Sequence, residues 1–148
     1  MKKRLDELRN SLKDKGVTLA ITSDLFLLAL QKTMNKNNEI GDLTVSFDDG
    51  YLTIVGNKKV LFRLVKFYAR LRPVDANGRV LTLKLEEAKP VKWNWLSKVI
   101  LNRPPFMKFS KEVIKIDLNS IDKIRAVPIG NIIKFEIKDK ILWVKVGL

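Results

Sequence analysis

From Asp42 onward the chain alternates apolar and polar residues with a period of two, and this pattern constrains the fold more than any other feature of the sequence. A period of two sends successive side chains to opposite faces of an extended backbone, so each alternating run is expected to be a strand with one buried face. Leu43, Val45 and Phe47 form one such set, Leu52 and Ile54 the next, and Asp49-Gly50 lies between them. Asp-Gly provides two residues that tolerate positive φ, which a two-residue hairpin turn requires. Pairing across that turn sets Phe47 opposite Leu52 and Val45 opposite Ile54, so both strands bury the same face.

A long basic strand is expected over residues 60–71, with Leu61, Val65, Phe67, Ala69 and Leu71 on one face and Lys66, Tyr68, Arg70 and Arg72 on the other. Its return strand carries Leu81, Leu83 and Leu85 inward. Both apolar sets fall on odd numbers, so the connection at Ala76-Asn77-Gly78 must hold an odd number of residues or be accompanied by a bulge, with Gly78 left-handed. The chain closes with another hairpin, residues 132–137 and 141–146, turning at Asp139-Lys140.

Helical spacing is confined to other parts of the chain. Leu5, Leu8 and Leu12, with Gly16 as a stop, predict an amphipathic helix over the N-terminal segment 1–16, ahead of a single domain at 17–148. Residues 17–21 read as a strand. Thr22 or Ser23 then caps a helix over 24–34, and its Leu25 to Leu30 run is apolar around most of the circumference, the mark of a helix buried on more than one side. A short helix over 93–101 should end at Arg103-Pro104-Pro105, and a second helix or extended piece should lead to Ile116-Asp117-Leu118-Asn119. The expected class is α+β: a curved antiparallel sheet of hairpins wrapped around a buried helix, with short peripheral helices.

The 148 residues include no Cys and no His, which excludes disulfide scaffolds, Cys/His zinc sites, thiol nucleophiles and histidine acid-base chemistry. The carboxylate pairs Asp6-Glu7, Asp48-Asp49 and Glu86-Glu87 fit a helix start, a tight turn and a strand end. Neighbours on a strand face opposite ways, so Glu86 and Glu87 cannot act as a dyad without a bulge. No glycine-rich phosphate loop or calcium loop is present. The expectation is a binding protein with no catalytic residues, cofactor or metal.

Charge narrows the partner. There are 29 Lys and Arg against 16 Asp and Glu, a net charge of +13. The two signs balance over the first fifty residues, so the excess lies entirely beyond them; Lys58, Lys59, Arg63, Lys66, Arg70 and Arg72 follow one another with no acid between. Such a field attracts nucleic acid, acidic lipid or an acidic protein, and in its plainest reading serves solubility. The opening MKKRLDELRNSLKDKG lacks the apolar stretch of a signal peptide, so the expected location is cytoplasmic, with membrane association on a lipid reading.

Around residues 89–109, Lys89, Lys92, Lys98, Arg103 and Lys108 interleave with Trp93, Trp95, Phe106 and Phe109. Amphipathic rings beside cations suit a lipid-water interface or stacking against bases. In the plainer reading Trp93, Leu96 and Ile100 simply face the core. The succession ITSDLFLLAL, DLTVSFDDGYLTIVG and FRLVKFYARLRPVDANGRVLTLKLEEAKP, then a short helix and a final hairpin, resembles the bacterial LmeA-like phospholipid-binding family of the tubular lipid-binding (TULIP) kind across residues 17–147. The resemblance implies a curved sheet around a helix, enclosing an apolar groove for acyl chains.

On this reading Leu28, Leu61, Phe67 and Leu83 line the groove. Lys66, Arg70, Arg72, Lys92 and Arg103 meet anionic phospholipid head groups, and Trp95 and Phe106 anchor the membrane side. The alternative is a single-stranded nucleic-acid binder that uses the even-numbered face of the basic strand, with Tyr68 as stacking platform. A subunit docking an acidic protein is a third.

Overall fold

In a computed structural model, the structure describes residues 4, 6, 7, 16–34, 40–89 and 101–148. The protein is α+β and predominantly antiparallel, with strands in two sheets: β1 (Val17–Ile21), β9 (Ile141–Gly147) and β8 (Asn131–Lys138) in one, and β2 (Ile40–Asp48), β3 (Tyr51–Val60), β4 (Arg63–Asn77), β5 (Val80–Lys89), β7 (Val113–Asp117) and β6 (Met107–Ser110) in the other. Two α-helices complete the described residues that form longer elements, α1 (Ser23–Gln31) and the single turn α2 (Asp122–Arg125). Of the helix expected over 1–16, only Arg4, Asp6, Glu7 and Gly16 fall within the described residues. The 93–101 helix lies outside them except for Leu101, which is helical and buried.

α1 begins where Thr22 takes an extended backbone and its side-chain oxygen accepts from Leu25 N–H at 3.2 Å, satisfying one orphan donor of the first turn. It buries Phe26, Ala29 and Leu30, with Phe26 edge-on to Phe47 of β2 (5.8 Å between centroids) and 5.0 Å from Phe106. Inward residues of both sheets, among them Leu52, Ile54, Leu71, Leu81, Leu83, Leu142 and Val144, join these rings in one apolar core. Arg79, in the β4–β5 turn, ties the sheets together: its Nε donates to Gly130 O (3.0 Å) and its Nη1 to Ile124 O (2.9 Å) and Asn119 Oδ1 (3.2 Å).

The first hairpin has the expected register, with Phe47 opposite Leu52 and Val45 opposite Ile54. The second does not start where the alternation suggests. β3 continues through Gly56-Asn57-Lys58-Lys59 to Val60, which pairs with Arg63, so Leu61 and Phe62 form the turn and the basic strand begins at Arg63. Gly56 is required here by close approach, because a Cβ at that position would lie 2.6 Å from Cζ of Phe67, the residue directly opposite. The β4–β5 turn is two residues, Gly78-Arg79, in place of the expected turn at Ala76-Asn77-Gly78, and the register shifts between Pro73 and Asp75, so a bulge at Val74 meets the parity that an odd-length turn would otherwise have met. The expected helix or extended piece before residue 116 is the hairpin β6–β7, turning through Lys111 and Glu112, both at positive φ.

Candidate anion-binding sheet face and hairpin tip

β4 sets the character of the site. Phe67, Ala69 and Leu71 point into the core, so the intervening Lys66, Tyr68, Arg70 and Arg72 stand on the outer face of the six-stranded sheet. Register extends this face sideways: Tyr68 lies opposite Val55 on β3 and Lys89 on β5, Arg72 opposite Lys84, and Thr82 next to Lys115 of β7. Arg70 sits over the Tyr51 ring, 3.8 Å from its centroid, so one face of that ring is covered by a cation. Lys66, Tyr68, Glu87 and Lys89 border a shallow depression of about 400 Å³.

Both acids of the Glu86-Glu87 pair reach this face. The β4–β5 register shifts between Arg70, opposite Glu87, and Leu71, opposite Leu85, so Glu86 is a bulge residue without a partner of its own. A bulge places neighbours on the same side of a sheet. Glu86 Oε1 accepts from Arg72 Nε at 2.9 Å, and Glu87 lies 3.4 Å from Lys89 Nζ. The face is therefore cationic but interrupted, with Lys66, Lys84 and Lys115 on either side of two carboxylate-bound cations.

The same strands end in an apolar tip. Leu61 is 85% exposed, Phe62 99% and Leu64 73%, the highest values among large apolar side chains of the described residues. Leu61 also holds φ at 58°, a left-handed backbone that disfavours a residue with a Cβ by about 1–2 kcal/mol. Lys59 lies opposite Leu64 and Lys58 opposite Val65, with Arg63 and Lys66 completing a basic collar.

The four residues assigned to an acyl groove are not brought together. Phe67 and Leu83 are core residues at 3% and 1% exposure, Leu28 is half exposed on α1, and Leu61 is at the tip. The groove assignment is corrected accordingly: alternation placed Leu61 on an inward face, whereas the hairpin turn takes it out of the strand. Phe106 is likewise core, at 1% exposure against Phe26, and not an exposed anchor. Its stiff Arg-Pro-Pro approach delivers the ring inward. Trp95 and Lys92 lie outside the described residues.

Arg103 is apart from the cationic face. Its backbone pairs with Met107 in both directions (2.8 and 2.9 Å), its Nε is buried without a partner among the described residues, and desolvation lowers its pKa from the usual arginine value. A guanidinium nevertheless stays charged at neutral pH. Lys66, Arg70 and Arg72, by contrast, share one face as expected from their alternation. Sequence reasoning passed over Tyr51, Lys84 and Phe62; spacing within β4 cannot reveal what neighbouring strands contribute. On the other sheet, the Trp143 indole donates to Lys138 O (3.1 Å) beside Lys134 and Lys145. Among the described residues, no helix is long and apolar enough to cross a membrane. No family model, curated protein or solved structure matches this chain.

Proposed function

We propose that this is a non-enzymatic peripheral protein that binds anionic phospholipid surfaces through the outer face of the six-stranded sheet. The observation supporting this reading is the broad, interrupted cationic face of Lys66, Arg70, Arg72, Lys84 and Lys89. Head groups are separate and move laterally, so each can settle at a free cation while the two Glu-bound cations are passed over. A nucleic-acid backbone offers a connected row of phosphates instead, and would have to run past Glu86 and Glu87. Its bases would also find one face of Tyr51 already covered by Arg70. The proposal takes the sheet to curve around α1, whose Phe26, Ala29 and Leu30 are buried. It does not include an acyl groove built from Leu28, Leu61, Phe67 and Leu83.

Tyr68 between Lys66 and Lys89 favours the second reading, stacking of single-stranded nucleic acid on the same face. Salt weakens both interactions and cannot separate them. Co-sedimentation with phosphatidylcholine vesicles containing phosphatidylglycerol, without binding to phosphatidylcholine alone or retardation of single-stranded RNA at equal ionic strength, is the expected result. Retardation of RNA with no vesicle binding would replace the lipid reading by the nucleic-acid one.

A further inference from the structure

We infer that the β3–β4 hairpin is a membrane-insertion element: Leu61, Phe62 and Leu64 enter the acyl region while Lys58, Lys59, Arg63 and Lys66 remain at the phosphates. The inference rests on the membrane reading above and adds to it the part of the protein that penetrates and the layer it reaches.

Several independent observations meet at this turn. The side chains at its apex are the most exposed large apolar groups among the described residues. The backbone supporting them is one that glycine or asparagine would adopt more easily, with Leu61 at φ 58°. Lys111 and Glu112 hold the same left-handed backbone in the β6–β7 turn, so positive φ alone marks a tight turn; what folding alone does not explain is a leucine and a phenylalanine left in solvent at the apex. Cations surround the apex on both faces of the ribbon: Lys59 and Lys66 share a face with Leu64, and Lys58 and Arg63 share the other with Val60.

Dimensions agree with shallow insertion. Phe67, opposite Gly56, is the last buried pair before the turn. Phe62 lies five residues before Phe67, in the turn that precedes β4, and at about 3.3 Å per residue this projects the apex by up to roughly 16 Å beyond that pair. Interfacial elements bury their apolar groups about 5–10 Å into the head-group and acyl boundary, so the apex can reach that depth while the collar stays in the phosphate layer. The collar also selects the occupant. A second copy would bring the same four cations against this set, and like charges oppose that contact; an anionic bilayer supplies both the apolar interior and the negative surface.

The chain has no cysteine, so a single fluorophore can be placed at will. Phe62→Cys carries an environment-sensitive nitrobenzoxadiazole label at the apex, and Asp49→Cys carries the same label at the opposite end of β3. With phosphatidylcholine and phosphatidylglycerol vesicles, the label at 62 should shift to the blue, become shielded from iodide and be quenched by nitroxide on the lipid acyl chains. The label at 49 should remain open to iodide. Replacing Leu61 and Phe62 by Asn and Gly, which suit the turn, should lower vesicle partitioning by about tenfold to a hundredfold without loss of the folded state. Vesicle binding with the label at 62 still open to iodide overturns the insertion and leaves surface binding by the sheet standing. Absence of wild-type binding to these vesicles overturns both, and retardation of RNA in its place assigns the apex to stacking.

Discussion

The two ends of β3 carry turns of equal length and opposite construction. At one end Asp49 and Gly50 hold φ at 52° and 81°, residues suited to that backbone, and nothing lies within 4 Å of where a Gly50 Cβ would be. At the other, Leu61 holds φ at 58° and Phe62 stands almost wholly in solvent. The first turn is explained by folding alone: it sets register and leaves a polar surface. The second is held by the pairing of Val60 with Arg63 and exposes an apolar apex, a surface that contributes nothing to the stability of the isolated protein. Two turns on one strand thus differ in what they leave in solvent: polar side chains at one end, and the apolar pair proposed to insert into a membrane at the other.

The largest effect expected on this comparison involves Phe106, which the sequence reading placed at a membrane and the structure buries, and Phe62, which the sequence reading passed over and the structure exposes. Phe106→Ala should destabilise by about 3–5 kcal/mol, because it empties the space beside Phe26, whereas Phe62→Ala should leave stability within about 0.5 kcal/mol. Urea midpoints measure both. Equal losses would mean that the apex packs against something, and the contrast between the turns would disappear.

Next comes Gly56→Ala, just behind the apex, where the new methyl meets the Phe67 ring. Overpacking of this sort costs about 1–3 kcal/mol, and chemical denaturation should show it. A neutral result would mean that the Phe67 ring moves aside easily and that the core ends before the ribbon narrows.

Exchanging backbone preferences tests the turns directly. Gly50→Ala should destabilise by about 1–2 kcal/mol through positive φ alone. Leu61→Gly should stabilise by a few tenths to about 1 kcal/mol, as relief of strain exceeds the added freedom of the unfolded chain. Thermal midpoints should therefore move in opposite directions; the same direction for both would show that Leu61 is not strained.

The smallest effect concerns the outer face. Arg72 and Glu86 are partly exposed, at 48% and 31% of their side chains, so a double-mutant cycle of Arg72→Gln and Glu86→Gln should give a coupling of about 0.2–1 kcal/mol. Vesicle affinity should respond differently: Glu86→Gln should strengthen binding by releasing Arg72, and Arg72→Gln should weaken it by leaving the Glu86 carboxylate unneutralised on the face. If Glu86→Gln weakens vesicle binding, the bulge acid takes part in the site and does not merely interrupt it.

Local physics made part of this molecule legible from its residues. Asp49-Gly50 has few alternatives to a tight turn, and the alternation on either side then sets the pairing of Phe47 with Leu52. Parity between the odd-numbered leucines required an odd-length turn at Ala76-Asn77-Gly78 or a bulge, and the structure takes the second course, with a two-residue turn and a bulge at Val74. Thr22 announces α1 because its hydroxyl can satisfy a backbone donor three residues on. In each case the determining interaction spans only a few residues, or follows from side chains that must share a face.

Tertiary structure decided the rest. Neither Leu61-Phe62 nor Lys111-Glu112 contains a glycine to mark the turn, and pairing along the flanking strands is what holds Leu61, Lys111 and Glu112 at positive φ. Whether Phe106 faced lipid or core depended on Phe26, a residue eighty positions earlier that α1 delivers to it. The outer face likewise comes from strands distant in sequence, and the Glu86 bulge gives it two acids that strict alternation would have sent to opposite sides. Alternation determines which residues of one strand share a face; which strands lie beside it, and where the apolar surface runs out of partners, is settled only when the whole chain competes for burial.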